Sequence, residues 1–306
     1  MKSKNKKLYP VFGIISVLNT AFTRDDRIDI PGLKRNVEAA IQAGVAGFLV
    51  PALASEVYKL SIRERHDIVE AVMEQTNSRV PVIGGAGETD RDQRNKIVEE
   101  LISLECKNIL LQIPFENVRQ FKQDLFRIAE FDLEMIMLQD WDPTGYGLPS
   151  SLVCELFEEV ESFRCLKIEV VPAGVKYSEM LKATDGRLHV SGGWAVQQMI
   201  EALERGVHAF MPTGMHEIYT TIYSLYKSGN VKEAQELFDE LLPVLAFSNQ
   251  HLDISIHFFK RLLYRQGIYS TPRVRQPILP FDEVHERIAN RLLDHVLEII
   301  KKVRDD

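Results

Sequence analysis

The chain has 306 residues, 45% hydrophobic and 26% charged, a composition typical of one large globular protein. Its formal net charge of −7 argues against a nucleic-acid-binding surface. The three cysteines, Cys106, Cys154 and Cys165, are too few and too scattered for a disulfide framework or a zinc site. The eight histidines show no ligand spacing either, so we expect no metal and no cofactor.

The N-terminus is basic, with Lys2, Lys4, Lys6 and Lys7, as in the first part of a signal peptide. The apolar stretch that follows is short, contains Gly13 and lacks a cleavage site of small residues. No apolar run approaches the ~18 residues of a membrane span. We therefore expect a cytoplasmic protein with no membrane partner.

Eight short apolar runs follow one another along the first two thirds of the chain, each bounded by Gly, Pro or polar residues. Runs of this kind are typical of parallel strands that are buried on both faces. The predicted strands are Val11–Leu18, Gly47–Pro51, Val80–Gly84, Asn108–Ile113, Glu134–Gln139, Cys165–Glu169, Arg187–Ser191 and His208–Pro212.

Amphipathic segments with helical spacing separate most of these strands. One begins at a capping-box pattern, in which Glu64 follows Ser61 by three residues. Alternating strands and helices predict parallel strands with crossover helices, and eight such units suggest a closed (β/α)8 TIM barrel. A doubly wound open sheet is the alternative, but no Gly-x-Gly-x-x-Gly follows the first strand.

The pattern becomes purely helical from about Val231. We therefore predict a barrel over residues 1–226 and a C-terminal helical extension, packed on the barrel, over residues 227–306. The overall expectation is an α/β protein.

Lys167 and Glu169 stand out on the sixth predicted strand. Residues two apart on a strand share a face, and active sites of such barrels lie at the carboxyl ends of the strands. A buried lysine can attack a substrate carbonyl as the neutral amine and form a Schiff base. The alternative, which strand position alone leaves equally open, is a structural ion pair between Lys167 and Glu169.

Several motifs resemble the dihydrodipicolinate synthase/N-acetylneuraminate lyase family of class I Schiff-base aldolases. Leu166-Lys167 resembles the family's Schiff-base lysine, and Ser191-Gly192 its turn after strand seven. The other similar segments are Ile28–Leu33, Ala43–Gly47, Glu56–Arg65 and Gly229–Ala234. The resemblance covers nearly the whole chain and implies binding of a 2-keto acid, usually pyruvate, through the lysine.

The chain departs from the family pattern at four places. Ala52–Glu56 stands where the family has Gly-Thr-Thr-Gly-Glu, so a ligand carboxylate would depend on backbone N–H groups and the Ser55 hydroxyl. Gln139 stands at the catalytic tyrosine, Phe115-Glu116 at a tyrosine pair, and Thr144 near a substrate-binding arginine. The chain thus resembles a divergent branch that lacks the catalytic tyrosine, and we expect neither dihydrodipicolinate synthase nor sialic acid lyase activity.

The predicted catalytic residues are Lys167, Glu169 as the replacement acid/base, and Gln139. The residues predicted to bind substrate are Ala54, Ser55, Glu56, Asp140, Ser191, Gly192 and Met211.

The leading functional hypothesis is a lyase, either an aldolase or a hydro-lyase, that acts on pyruvate or a keto sugar acid through a Schiff base at Lys167. One alternative is a catalytically silent ligand-binding or regulatory barrel of the same family. Another is a phosphate-binding barrel enzyme that uses the turns at Ser191 and Thr213. The resemblance also implies a homo-oligomer, a dimer or a tetramer.

Overall fold

The computed structural model describes residues 6–193 and 196–305. Its eight parallel strands are hydrogen-bonded in chain order and form a closed barrel, which confirms the predicted (β/α)8 fold. Every predicted apolar run overlaps one strand, although four of the strands extend beyond the predicted bounds. The strands are β1 (Gly13–Val17), β2 (Gly47–Val50), β3 (Val82–Ala86), β4 (Asn108–Leu111), β5 (Met135–Asp142), β6 (Phe163–Val170), β7 (His189–Gly192) and β8 (Ala209–Phe210).

Helices follow the strands and continue beyond the last of them. Their starts have the local chemistry that a helix N-terminus needs: Asp29 accepts a hydrogen bond from the backbone N–H of Gly32 (2.9 Å), and the Ser61–Glu64 capping box forms as predicted. The helices are α1 (Ile30–Gln42), α2 (Ile62–Thr76), α3 (Arg91–Ser103), α4 (Val118–Ala129), α5 (Ser150–Glu159), α6 (Ala173–Ala183), α7 (Met199–Glu204), α8 (His216–Lys227), α9 (Val231–Ser248), α10 (Leu252–Arg265) and α11 (Glu283–Asp305).

Strands β5 and β6 are longer than the sequence pattern predicted. Their pairing continues from Met137 opposite Cys165 to Asp142 opposite Val170. The prediction ended β5 at Gln139, before the charged Asp140 and Asp142. The backbone hydrogen bonds to β6 continue the strand through those polar residues, and this decides where Asp140 points.

The described chain divides into two compact units. The first comprises residues 6–12 and 81–211, with strands β3 to β8 and helices α3 to α7. The side chains of Leu125, Val153 and Phe157 lie in its buried core.

The second unit comprises residues 13–80 and 212–305. It holds β1, β2, α1, α2 and the four helices α8 to α11. In this unit α8 packs against β1, α9 and α11. The predicted C-terminal helical stretch is confirmed as helical, since α9 begins at Val231. The predicted domain boundary at residue 226 stays a prediction. None of the described helices has the length and apolar character that a membrane span requires.

Candidate active site

Three predicted site residues lie side by side across neighbouring strands of the first unit. Gln139 of β5 is opposite Lys167 of β6, and Lys167 is opposite Ser191 of β7. Side chains that stand opposite each other in parallel strands point to the same face of the sheet. The sheet therefore brings an amide, an amine and a hydroxyl into one row.

Glu169 lies on the same face of β6 as Lys167 and joins the residues of this row. Its Oε2 is 3.0 Å from Nζ of Lys167 and accepts a hydrogen bond from Nε2 of Gln139 at 2.5 Å. The side chains of Lys167 and Glu169 are only 8% and 14% exposed. The structure thus contains the ion pair that the sequence left open as the alternative to a Schiff-base lysine, with Gln139 as a second donor to the same carboxylate oxygen.

The other carboxylate oxygen of Glu169 lies against the backbone of Gly193. A Cβ atom added at Gly193 would lie 1.8 Å from Oε1 of Glu169, far inside van der Waals contact. Only glycine leaves room for the carboxylate in this position. The Ser191-Gly192 turn could be identified from the sequence but this role of Gly193 could not, because the close approach joins β6 to the end of β7.

Glu169 is therefore placed to exchange a proton with Lys167. A carboxylate within hydrogen-bond reach of an amine is suited to act as its general base and, once protonated, as a general acid. Trp141, which the prediction missed, stands opposite Glu169 in the β5–β6 register and is 45% exposed. It shares a face with Gln139, so it extends the row toward the carboxyl ends of the strands. Its position two residues after Gln139 was the available signal.

Asp140, predicted to bind substrate, points to the opposite face of β5 from Gln139. Its carboxylate pairs with Nζ of Lys176 on α6 at 2.5 Å and accepts a hydrogen bond from the backbone N–H of Leu148 at 2.8 Å. Both charged side chains are buried. Burial raises the pKa of Asp140, although Lys176 opposes the shift. This placement favours a structural role for Asp140 over contact with substrate.

The remaining predicted residues of the first unit lie around the ends of β7 and β8. Ser191 is fully buried, with its hydroxyl 3.5 Å from the carbonyl oxygen of Leu166. The carbonyl oxygen of Gly192 accepts a hydrogen bond from the backbone N–H of Met211 at 3.1 Å. Met211 is also buried. These contacts fix the backbone next to the row of polar side chains.

The loop after β2, in the second unit, contains the other three predicted substrate-binding residues. Ser55 is buried, and its hydroxyl donates to the carbonyl oxygen of Leu18 (2.5 Å) while accepting from the backbone N–H of Ala52 (3.0 Å). The carbonyl oxygen of Ala54 accepts from Nδ2 of Asn19 at 2.7 Å. The one hydroxyl hydrogen of Ser55 is thus engaged within the protein, which does not favour its donation to a ligand.

Glu56 is fully buried and adopts a left-handed backbone conformation, with φ = 58°. Its carboxylate pairs with the buried Lys260 of α10, pairs with Lys59 at 3.1 Å, and accepts from the backbone N–H of Arg275 at 3.1 Å. These partners occupy both carboxylate oxygens. Glu56 therefore ties its loop to the C-terminal helical part, and this geometry does not favour direct contact with substrate.

The fold and the polar row across β5 to β7 define the class as a TIM barrel with a buried lysine–carboxylate pair. The sequence matches the Dihydrodipicolinate synthetase family over residues 10–296, and the chain belongs to this family. Membership and fold support a lyase of the class I aldolase kind. The family predicted from the motifs is confirmed.

The sequences of two relatives are consistent with membership of this family. The chain is 28% identical over 243 residues to the 4-hydroxy-tetrahydrodipicolinate synthase of Methanopyrus kandleri, covering 77% of this chain and 81% of the relative. It is 26% identical over 292 residues to the enzyme of that name from Methanosarcina mazei, covering 92% and 97%.

Solved structures show the same fold at lower sequence identity. The 4-hydroxy-tetrahydrodipicolinate synthase of Methylacidiphilum fumariolicum matches with a TM-score of 0.84 at 19% identity, over 96% of this chain and 99% of that one. A prophage protein of the dihydrodipicolinic acid synthase family from E. coli K12, solved in complex with pyruvate, matches with a TM-score of 0.84 at 20% identity, over 94% and 99%.

Proposed function

We propose that the protein is a Schiff-base lyase, an aldolase or a hydro-lyase, that acts on a 2-keto acid through Lys167. The observation that carries the proposal is the buried contact of Lys167 with Glu169 at 3.0 Å, in a chain of the class I aldolase kind. Pyruvate or a keto sugar acid is the proposed substrate, supported by the fold shared with a protein solved in complex with pyruvate.

The first step of the proposed reaction is a proton transfer from the Lys167 ammonium to the Glu169 carboxylate. The neutral amine then attacks C2 of the keto acid, and one proton moves from the attacking nitrogen to the carbonyl oxygen to give a carbinolamine. Glu169 returns its proton to the hydroxyl, which leaves as water, and the C2–N imine forms. Gln139 holds Glu169 by its 2.5 Å hydrogen bond throughout this exchange.

The protonated imine withdraws electrons from the carbon next to C2. A bond at the neighbouring carbon can then break, with its electron pair stored as an enamine, or form in the reverse direction. Water hydrolyses the imine at the end and restores the ion pair. The tyrosine relay of the resemblance is replaced in this scheme by Glu169.

The test is borohydride trapping with pyruvate and a panel of 2-keto sugar acids, followed by peptide mass spectrometry. We expect a reduced adduct on Lys167, and none in Lys167→Ala with its fold intact by circular dichroism. Lys107→Ala, which removes a lysine paired with the exposed Asp132 in the same unit, is the control and keeps the adduct. Turnover retained in Lys167→Ala would refute the proposal.

A second candidate is a silent binding barrel, which the completed ion pair of Lys167 with Glu169 also fits. In that case pyruvate or another keto acid binds saturably in isothermal titration calorimetry, yet borohydride captures nothing on any lysine. The two experiments together separate the candidates, because only the lyase predicts a covalent adduct.

A further inference from the structure

A cleft in the second unit has an arginine-rich lining. It has a volume of about 370 Å³, and its lining includes Arg24, Arg261 and Arg273 together with His257, Tyr264 and Thr271. None of the residues that line it, all of them in the described part of the chain, is an aspartate or a glutamate. Three guanidinium groups in one cleft contrast with the net charge of −7 of the whole chain.

Some N–H groups of these arginines make no hydrogen bond to the described residues. Arg24 is exposed and makes no hydrogen bond or ion pair with residues 6–193 or 196–305. Within the same ranges Arg273 uses only its Nε–H, which donates to Asp26 at 2.7 Å, and so keeps four of the five N–H groups of a guanidinium. Arg261 pairs with Glu286 at 3.1 Å, a carboxylate whose side chain is 54% exposed. The local positive charge is thus only partly neutralised.

The framework of the cleft is held in place by contacts that do not use these free donors. Arg261 lies over the ring of Phe281, 4.4 Å from its centroid. The segment that carries Arg273 is anchored by Thr271, whose hydroxyl donates to the carbonyl oxygen of Phe22 at 2.8 Å. It is also anchored through the Arg273 carbonyl oxygen, which accepts from Nζ of Lys260 at 3.0 Å. These contacts preorganise Arg261 and Arg273, and preorganised donors bind a ligand with a smaller entropic cost.

We propose that this cleft is a binding site for a small polyvalent oxyanion, a phosphate ester or a polycarboxylate of metabolite size. The shared chemistry is a group of oxygen acceptors with a charge of two or more, which forked guanidinium donors bind with charge-assisted hydrogen bonds. The volume of about 370 Å³ is at the lower end of the range for small-molecule sites and suits such a ligand. The residues that line the cleft include none of those proposed to act on the keto acid.

The test is isothermal titration calorimetry at low ionic strength with inorganic phosphate and with citrate. It compares the wild type, Arg24→Gln and Arg119→Gln. Arg119 is a matched control: it is exposed, lacks a partner among the described residues, lies outside the cleft, and its change removes the same charge. Arg24→Gln should weaken binding about tenfold, because it removes charge-assisted hydrogen bonds. Arg119→Gln should change it less than about twofold.

The two anions distinguish the ligand classes. Tighter binding of phosphate indicates a phosphate ester, and tighter binding of citrate indicates a polycarboxylate. Either result supports the site. Arg273→Gln, checked for folding by circular dichroism, should weaken binding in the same way. The proposal is overturned if neither anion binds or if Arg24→Gln binds the anion as tightly as the wild type does. It is also overturned if Arg119→Gln weakens anion binding as much as Arg24→Gln does. If the anion bound elsewhere, for example around Lys167, Arg24→Gln would bind it as tightly as the wild type does.

Discussion

At the scale of single residues, Glu169 is the centre of the candidate site. Its carboxylate contacts Lys167 and Gln139 through one oxygen and lies against Gly193 with the other. A group that must both accept and return a proton needs a fixed position, since general acid–base catalysis depends on hydrogen-bond reach. The three neighbours supply that position.

Gly193→Ala is predicted to disable Glu169 without touching Lys167. The new Cβ would lie 1.8 Å from Oε1, so the carboxylate must move away. We expect the rate of adduct formation with pyruvate and borohydride to fall roughly 100-fold, as it should in Glu169→Gln. The measurement is the time course of labelled Lys167 by mass spectrometry.

The matched control for this change is Gly87→Ala. A Cβ at Gly87 meets its nearest atom, Oε1 of Gln112, at 3.5 Å, which is ordinary contact. Its labelling rate should equal that of the wild type. Wild-type labelling in Gly193→Ala would show that the position of Glu169 does not limit imine formation.

At the scale of elements, two buried lysines tie secondary-structure elements to the loops that follow strands. Lys176 of α6 pairs with Asp140 and donates to the carbonyl oxygens of Tyr146 and Leu148, both at 2.6 Å, in the loop after β5. Lys260 of α10 pairs with Glu56 in the loop after β2. Each lysine connects its helix to the loop that follows a strand, so these ion pairs fix the geometry of the two loops.

Lys176→Met is predicted to destabilise the protein by about 3–5 kcal/mol, because it leaves the buried Asp140 carboxylate without its counter-charge. Asp140→Asn combined with Lys176→Met should recover part of this loss, as coupled partners do in a double-mutant cycle. The free energy of unfolding in urea measures both.

Asp140→Asn alone tests whether Asp140 contacts substrate. If its role is structural, Asp140→Asn should leave the pyruvate concentration for half-maximal labelling of Lys167 within about twofold of the wild type in folded protein, since no ligand contact is lost. A large rise in that concentration would instead assign Asp140 to the binding site, as the sequence predicted.

At the scale of the whole molecule, buried histidines link stability to pH. Burial lowers the pKa of His189 to about 3, with a smaller contribution from the neighbouring His208. Burial also lowers the pKa of His216, whose Nε2 lies 2.8 Å from the Ser16 hydroxyl, to about 4. Both side chains are neutral in the native state at pH values where the unfolded chain takes up protons.

The free energy of unfolding is therefore predicted to fall as the pH is lowered from 7.5 to 5. In this range the unfolded histidines, with a pKa of about 6.5, bind protons that the native protein excludes, so stability rises with pH. Proton uptake by each of the two histidines in the unfolded chain should lower the free energy of unfolding by about 2 kcal/mol between pH 7.5 and pH 5.

Urea unfolding of the wild type and His189→Gln at both pH values measures this dependence. The variant should be less stable at pH 7.5, since His189 contacts the carbonyl oxygen of Val11 at 2.6 Å, but it should lose less stability on acidification. Equal losses in the two proteins would mean that the proton uptake of His189 does not differ between the native and unfolded states.

Much of the fold could be predicted from local patterns. The eight apolar runs each overlap a strand, and the capping box at Ser61 and Glu64 begins α2 as expected. The shared face of Lys167 and Glu169 also followed from the two-residue period of a strand. The length of β5 did not follow, because the charged Asp140 and Asp142 near its end are kept in the strand by pairing with β6.

The sequence by itself determined the barrel, the family and the residue type at each strand position, because these depend on periodicity and motifs within short stretches of chain. Only the tertiary structure decided which side chains meet. Gln139 of β5 and Gly193, directly after β7, lie on either side of Glu169, and Glu56 pairs with a lysine 204 residues further along the chain. Contacts at such separations depend on register and packing between elements, and no local pattern of one sequence encodes them.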